Sequence, residues 1–371
     1  MSVNPPYRAD IVGSFLRPDP IKAARAAHEA GDLSADDLRK VEDEQIAALV
    51  ATEARAGLKA VTDGEFRRSW WHFDFLGGLD GVSLVELDHS LPFHGATTKA
   101  LGVRIEGKLG FPSDHPMLEH FRYLKSVAEA NGVQPKFSIP SPTVLDFRVE
   151  PANLAAPEYP DRDSYVDDLV QAYRDAIAAF YAEGARYLQL DDTVWAYLCS
   201  DAELERARTE RKIDTEGIGA RYRDILIRVL ADKPDDLVVT THVCRGNFRS
   251  TWIASGGYEP VAQDLFAVPY DGFFLEYDSE RAGGFEPLRF FPEGDQTVVL
   301  GLITSKSGEL EDPDAVRARI AEAAKFVPLQ QLAISTQCGF ASTEEGNILS
   351  EEEQWGKVRE VVELASTVWD G

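Results

Sequence analysis

The feature that most constrains the fold is an alternation: eight short, apolar, β-prone runs separated by longer segments of helical periodicity. The runs are Asp10 to Phe15, Lys59 to Glu65, Pro135 to Pro140, Tyr187 to Asp192, Leu237 to Cys244, Gly272 to Tyr277, Thr297 to Thr304 and Leu332 to Cys338. Helical periodicity spans Pro20 to Ala56, Ser164 to Glu183, Gly217 to Ala231, Asp312 to Phe326 and Ser350 to Val368. Runs spaced this way are parallel strands joined by crossover helices, because a tight turn connects only antiparallel neighbours. Ser350-Glu-Glu-Glu reads as a capping box that opens the last helix. The connection from Trp70 to Gly132 is too long for a plain crossover, and its alternating stretch Leu101-Gly-Val-Arg-Ile-Glu-Gly predicts a hairpin or excursion strand.

Eight strands alternating with helices in 371 residues predict an α/β chain of the (β/α)8 TIM-barrel class, a single domain over 1–371 with an excursion after strand 2. A doubly wound open sheet has the same period. The polar residues favour the barrel. Ser14, Asp63, Glu65, Asp191, Asp192, His242, Cys244, Glu276 and Cys338 all fall at the carboxyl ends of predicted strands, where a barrel gathers its site from distant parts of the chain.

Within that set, His242 and Cys244 stand two residues apart on an extended run, so their side chains point the same way and can share one metal ion. A thiol beside an imidazole at the end of a buried strand suits zinc. Each residue also has a plainer reading. Cys338 alone would be a small buried hydrophobe, and Cys199, after Trp195-Ala-Tyr-Leu, is read as one. His242 alone could be a core hydrogen-bonding group. Asp191 and Asp192 could cap the next helix, the reading favoured for Asp192. Glu65 could pair with Arg67 or Arg68. Trp70-Trp71-His72-Phe73 is packing or the wall of a pocket for a flat donor, and His72 has no partner that the sequence identifies.

Composition narrows the partners. A formal charge of −25 repels polyanions, so no nucleic-acid partner is expected. No apolar stretch is long enough to cross a bilayer, and the N-terminus has no basic-then-apolar signal region. Three cysteines cannot all pair, so free thiols in a reducing cytoplasm are expected. Homo-oligomerisation is left open.

Several separated motifs resemble one family. They are Val12-Gly-Ser-Phe, Thr62-Asp-Gly-Glu, Leu188-Gln-Leu-Asp-Asp, Thr241-His-Val-Cys, Phe274-Leu-Glu and Cys338-Gly, which span nearly the whole chain in this order. The chain resembles the C-terminal catalytic barrel of cobalamin-independent methionine synthase, and more closely its short single-barrel bacterial relatives. The resemblance implies a catalytic Zn2+ held by His242, Cys244, Glu276 and Cys338. It also implies an amino-acid site with Ser14 at the carboxylate and Glu65 and Asp191 at the ammonium group, the latter two being the candidate catalytic carboxylates. The implied partners are homocysteine and a methyl donor, a methyltetrahydrofolate, with methionine as product.

The chain also departs from that family. It has no room for a second, N-terminal barrel. Where the full-length enzymes carry Asp-Ile-His-Ser after the seventh strand, this chain reads Leu302-Ile-Thr-Ser, so the imidazole suspected as proton donor is absent. The segment after the metal-binding thiol, Arg245-Gly-Asn-Phe-Arg-Ser, differs too; Arg245 is expected to meet an anionic substrate group, with Arg249, Arg281 and Arg289 as further cations. Two alternatives stay open: opening of an epoxide by coenzyme M at the same zinc, and a metal-free barrel of the decarboxylase type. Glu65 and Asp191 favour an amino-acid thiol, because coenzyme M has no ammonium group to meet them.

Overall fold

The computed structural model describes residues 4–86, 92–93, 96–97 and 101–369. At its centre six strands run parallel in the order Leu332–Thr336, Thr297–Ile303, Gly272–Glu276, Val238–Val243, Tyr187–Asp192 and Phe137–Pro140. Two further positions complete the ring. Ala60–Val61 pairs in parallel with Gln134–Pro135, which leads directly into Phe137–Pro140. The N-terminal segment bridges Ala9 to Ile334 on one side and Ser14 to Gly64 on the other, both in parallel. The predicted runs therefore occupy successive positions around a (β/α)8 barrel, and first and last elements meet as an open sheet would not allow.

The first run is not the strand the sequence suggests. Asp10 Oδ1 accepts from the amide of Ile11 at 2.8 Å, and Lys136 Nζ donates to the Ile11 carbonyl at 2.5 Å. Gln189 Nε2 donates to Val12 O at 2.9 Å and Thr62 Oγ1 to Gly13 O at 2.6 Å. Side chains thus satisfy the backbone groups that a ladder would use, and only bridges remain at either end.

The barrel interior is layered. Val12, Phe274, Val299 and Ala333 form a small apolar cluster. Near it Lys136 and Asp10 make an ion pair at 3.0 Å with neither side chain exposed, and the ammonium lies 3.9 Å from the Phe274 ring centroid. Tyr187 Oη donates to the other oxygen of Asp10 at 2.8 Å. The main apolar core lies outside the ring, between strands and helices.

The helices cover that face with one correction. The predicted Pro20 to Ala56 helix is two helices, Asp19–Glu29 and Ala35–Arg55. Gly31 takes φ 80°, and Ser34 caps the second helix by accepting from the Asp37 amide, so the chain turns where no helical residue could. The capping box at Ser350 forms: its hydroxyl accepts from the Glu353 amide at 3.3 Å, and Glu353 accepts from the Ser350 amide at 2.7 Å. The excursion after the second position is an antiparallel pair, Asp80–Glu86 with Leu101–Gly110, followed by a helix over Pro116–Ala130 that periodicity did not reveal. Part of that connection lies outside the described residues. Among the described residues no helix is long and apolar enough to cross a membrane.

Candidate active site

Three strand ends bring His242, Cys244, Glu276 and Cys338 together, all buried, with one potential ligand atom of each within 4.8 Å of the others. The two sulfurs are 3.6 Å apart and both cysteines are free thiols. Two thiolates about 2.3 Å from one tetrahedral zinc would lie about 3.8 Å apart, so the spacing fits that ion. Glu276 adds a sharper test. Its Oε1 accepts from the Arg245 amide at 2.8 Å, while Oε2 is buried with no partner. An orphaned carboxylate oxygen among two sulfurs and an imidazole is the donor set a zinc ion would satisfy.

The electrostatics of the four groups agree with that fit. The hydrogen bond between the two sulfurs raises the Cys244 thiol well above its ordinary value, with burial adding to the effect. The same hydrogen bond, helped by positive charge on His242, lowers the Cys338 thiol against the opposing effect of burial. Burial pushes the His242 imidazole down, but the hydrogen bond to Asp191 and the nearby anionic groups outweigh it and raise it to about 9. A metal bound here therefore displaces protons from the imidazole and a thiol. The ring is held from both sides, with Nε2 3.1 Å from Gln337 O and Nδ1 3.6 Å from Asp191 Oδ1.

The predicted amino-acid cradle opens onto the same cavity, which Ser14, Glu65 and Asp191 line together with His242, Cys244 and Cys338. Glu65 sits on a strained turn: Gly64 and Glu65 both take positive φ, 64° and 58°, and the Glu65 amide donates to Asp63 Oδ1 at 2.9 Å. Its Oε1 accepts from Ser138 Oγ at 3.3 Å and lies 3.5 Å from Arg68, whereas Oε2 is buried without a partner. Both sequence readings of Glu65 therefore meet in one side chain, one oxygen tied to arginine and the other left in the cavity. Burial raises its pKa to about 7 despite Arg68 and Arg17. Asp191 is oriented by Gln189 Nε2, which donates to it at 2.7 Å. Ser14 Oγ accepts from the Ala341 amide at 3.3 Å, and a Cβ at Gly339 would lie 2.0 Å from that oxygen, so only glycine permits the approach.

The plainer readings hold where they were favoured. Asp192 accepts from the Val194 amide at 2.9 Å and from Thr143 at 2.5 Å, at the start of the Val194–Leu198 helix. Cys199 donates to Trp195 O at 3.2 Å, and burial pushes its thiol up to about 11.

Comparison with known proteins was made against this geometry. The family model described as the cobalamin-independent synthase catalytic domain matches residues 151–366. The chain belongs to the cobalamin-independent synthase family. Within it, the uncharacterized protein YxjH of Bacillus subtilis is 50% identical over 365 residues, covering 98% of this chain and 95% of that one. A Listeria monocytogenes structure, described as a candidate vitamin-B12-independent methionine synthase, is 43% identical, covers 98% of both chains and superposes with a TM-score of 0.79. A B12-independent methionine synthase from Shewanella sp. W3-18-1, solved with selenomethionine, shares the fold at 17% identity with a TM-score of 0.70 and 98% coverage of both chains.

The cations expected where the chain departs from this family are placed differently. Arg245 is buried, its guanidinium 4.6 Å from the Tyr258 ring centroid, and it is not among the residues that line the cavity. Side chains alternate along extended backbone, so the residue after an inward-pointing Cys244 faces the other way. Arg281 pairs with Asp278 at 3.1 Å, and Arg289 pairs with Glu259. The cavity arginine is instead Arg148, which ends the Pro142–Arg148 helix, where a basic residue ordinarily reads as a complement to the helix dipole. Sequence reasoning also missed Lys306, whose charge favours the thiolate form of both Cys244 and Cys338. Thr304, at the position of the absent imidazole, donates instead to Asp278 at 3.0 Å.

Proposed function

We propose that this chain is a zinc-dependent methyltransferase that moves a methyl group to the thiol of homocysteine, giving methionine, within one catalytic barrel domain. The observation that carries this reading is the buried, unpartnered Glu276 Oε2 in a group with His242 and two sulfurs 3.6 Å apart, the sulfurs belonging to cysteines that line the same cavity as Glu65. When bound by His242, Cys244, Glu276 and Cys338, zinc would keep the acceptor sulfur in its nucleophilic thiolate form at neutral pH.

The chain's own residues supply the rest. Glu65 and Asp191 place negative charge where the ammonium of an α-amino acid would sit, and Ser14 meets its carboxylate. Holding the amino end fixes where the sulfur points, so that it meets the methyl carbon in line with the bond that breaks. The methyl donor favoured by the family resemblance is a methyltetrahydrofolate. The carboxylate pair weighs against coenzyme M, which would leave both carboxylates unanswered.

The test is to incubate zinc-loaded protein with homocysteine and methylfolates of different glutamate length, alongside simpler methyl donors, and to measure methionine by mass spectrometry. Methionine is expected, and Cys244→Ala should abolish it. Absence of methionine with every donor, from protein that holds zinc and binds homocysteine, overturns the methyl-transfer reading. Protein that retains no stoichiometric zinc overturns the metal reading.

A further inference from the structure

The acceptor cradle accounts for the residues at the strand ends, but a second group of side chains lines the same cavity. His72 follows the turn that carries Glu65, and Arg148 ends the helix that follows the Phe137–Pro140 strand. These are the second and third positions of the ring, whereas Cys244, Glu276 and Cys338 come from the fifth, sixth and eighth. In a ring of eight, the second and third positions lie across from the sixth and seventh. A molecule held on these two positions therefore faces the thiol site.

Both side chains lack what their burial or charge demands. His72 is fully buried and lines the cavity, yet neither ring nitrogen has a hydrogen-bond partner. Its neighbours on the chain are aromatic, with the Trp71 ring at 4.5 Å and the Phe73 ring at 4.0 Å, and they offer it no acceptor. Burial, with Arg148 adding to it, holds the imidazole well below its ordinary pKa, so at neutral pH it carries one N–H donor and one acceptor. Arg148 makes no ion pair or hydrogen bond among the described residues, in a chain with 63 acidic and 38 basic residues. Its field also acts on another cation, Arg211, which is itself paired with Glu150. An arginine left without an anion in an acidic protein, beside an imidazole with two open nitrogens, is a built half of a binding site.

We propose that Arg148 and His72, flanked by Trp70 and Trp71, form the subsite for the alkyl donor, with Arg148 pairing to an oxyanion of a compact donor and His72 hydrogen-bonding a polar atom of the same molecule. This rests on the thiol-alkylation reading for the identity of the reaction, but not for the anion site itself. Arg148 lines the same cavity as Cys244 and Cys338, so the oxyanion stands close to the alkyl group being transferred. A methyltetrahydrofolate carries its carboxylates at the end of a long tail, outside this cavity, so an oxyanion at Arg148 replaces the folate favoured by the family resemblance with a compact methyl donor. The guanidinium fork suits a carboxylate or a phosphate alike.

The test is a binding experiment on the zinc-loaded full chain, followed by tryptophan emission and calorimetry. Propionate, methyl phosphate and methanesulfonate are titrated with and without saturating homocysteine, which distinguishes the oxyanion chemistries. At least one should bind saturably in the presence of homocysteine, at least about tenfold more weakly in Arg148→Ala, with partial recovery in Arg148→Lys. His72→Phe should weaken the same probe, and homocysteine affinity should change less than about twofold in either variant. Arg148→Ala gives up no ion pair and should fold normally, which circular dichroism checks. The proposal is overturned if Arg148→Ala weakens homocysteine as much as the anion, which would assign Arg148 to the acceptor, or if no probe binds in an Arg148-dependent way. If wild-type protein binds a probe through Arg148 yet does not bind homocysteine, the acceptor reading fails and the anion site stands.

Discussion

Cys244 and Cys338 are 94 residues apart in sequence and 3.6 Å apart at their sulfurs, joined by a hydrogen bond and not by a disulfide. That relationship depends on the barrel closing, since the two thiols stand on the fifth and eighth strand positions with Glu276 between them on the sixth. Two hydrogen-bonded thiols, together with a raised imidazole and an orphaned carboxylate oxygen, describe a site whose groups are poised to exchange protons for a metal.

Metal content follows from this arrangement. Elemental analysis of purified protein should give one zinc per chain. Cys338→Ser and Cys244→Ala should each reduce retained zinc by at least about tenfold, because loss of one of four ligands leaves an incomplete tetrahedral set. Full zinc occupancy in both variants would disprove the site.

Glu65 makes stability depend on pH in a defined direction. Its native pKa is raised to about 7, so between roughly pH 4.5 and 7 the native state holds a proton that the unfolded chain has released. Stability therefore falls as pH rises through that window, by roughly 3 kcal/mol for this group alone. Glu65→Gln removes the contribution. In urea unfolding, the stability of the variant relative to wild type should be higher at pH 8 than at pH 5, and an equal difference at both values would contradict the assignment.

The Asp10–Lys136 pair inside the ring should be asymmetric under mutation. Lys136→Met strands the Asp10 carboxylate in the interior and is expected to cost about 3–5 kcal/mol of unfolding free energy. Adding Asp10→Asn should recover part of that loss. If Lys136→Met alone stays within about 1 kcal/mol of wild type, the pair is not holding the N-terminal segment in place.

Gly339 tests the acceptor cradle without touching a proposed ligand. A Cβ there would fall 2.0 Å from Ser14 Oγ, so Gly339→Ala must displace the serine. Homocysteine should then bind at least about tenfold more weakly while circular dichroism stays unchanged. Unchanged homocysteine affinity would remove Ser14 from the acceptor site.

Local chemistry in the sequence determined the order of strands and helices, the capping box at Ser350 and the placement of polar residues at strand ends. Those signals are periodicity and turn chemistry, which act over a few residues. The convergence of His242, Cys244, Glu276 and Cys338 was legible for a related reason: in a barrel, strand ends share one mouth. Tertiary structure alone decided what lies around them. The Asp10 to Phe15 run reads as a strand, but its backbone groups are taken by Asp10, Lys136, Gln189 and Thr62, three of which come from other strand positions. Arg148 lines the cavity where Arg245 was expected, because a long cationic side chain goes where packing leaves room and charge, which its neighbours in sequence do not reveal. The unpartnered oxygens of Glu65 and Glu276 exist only in the folded chain, since a polar atom becomes an orphan when burial takes its water away and supplies nothing in return.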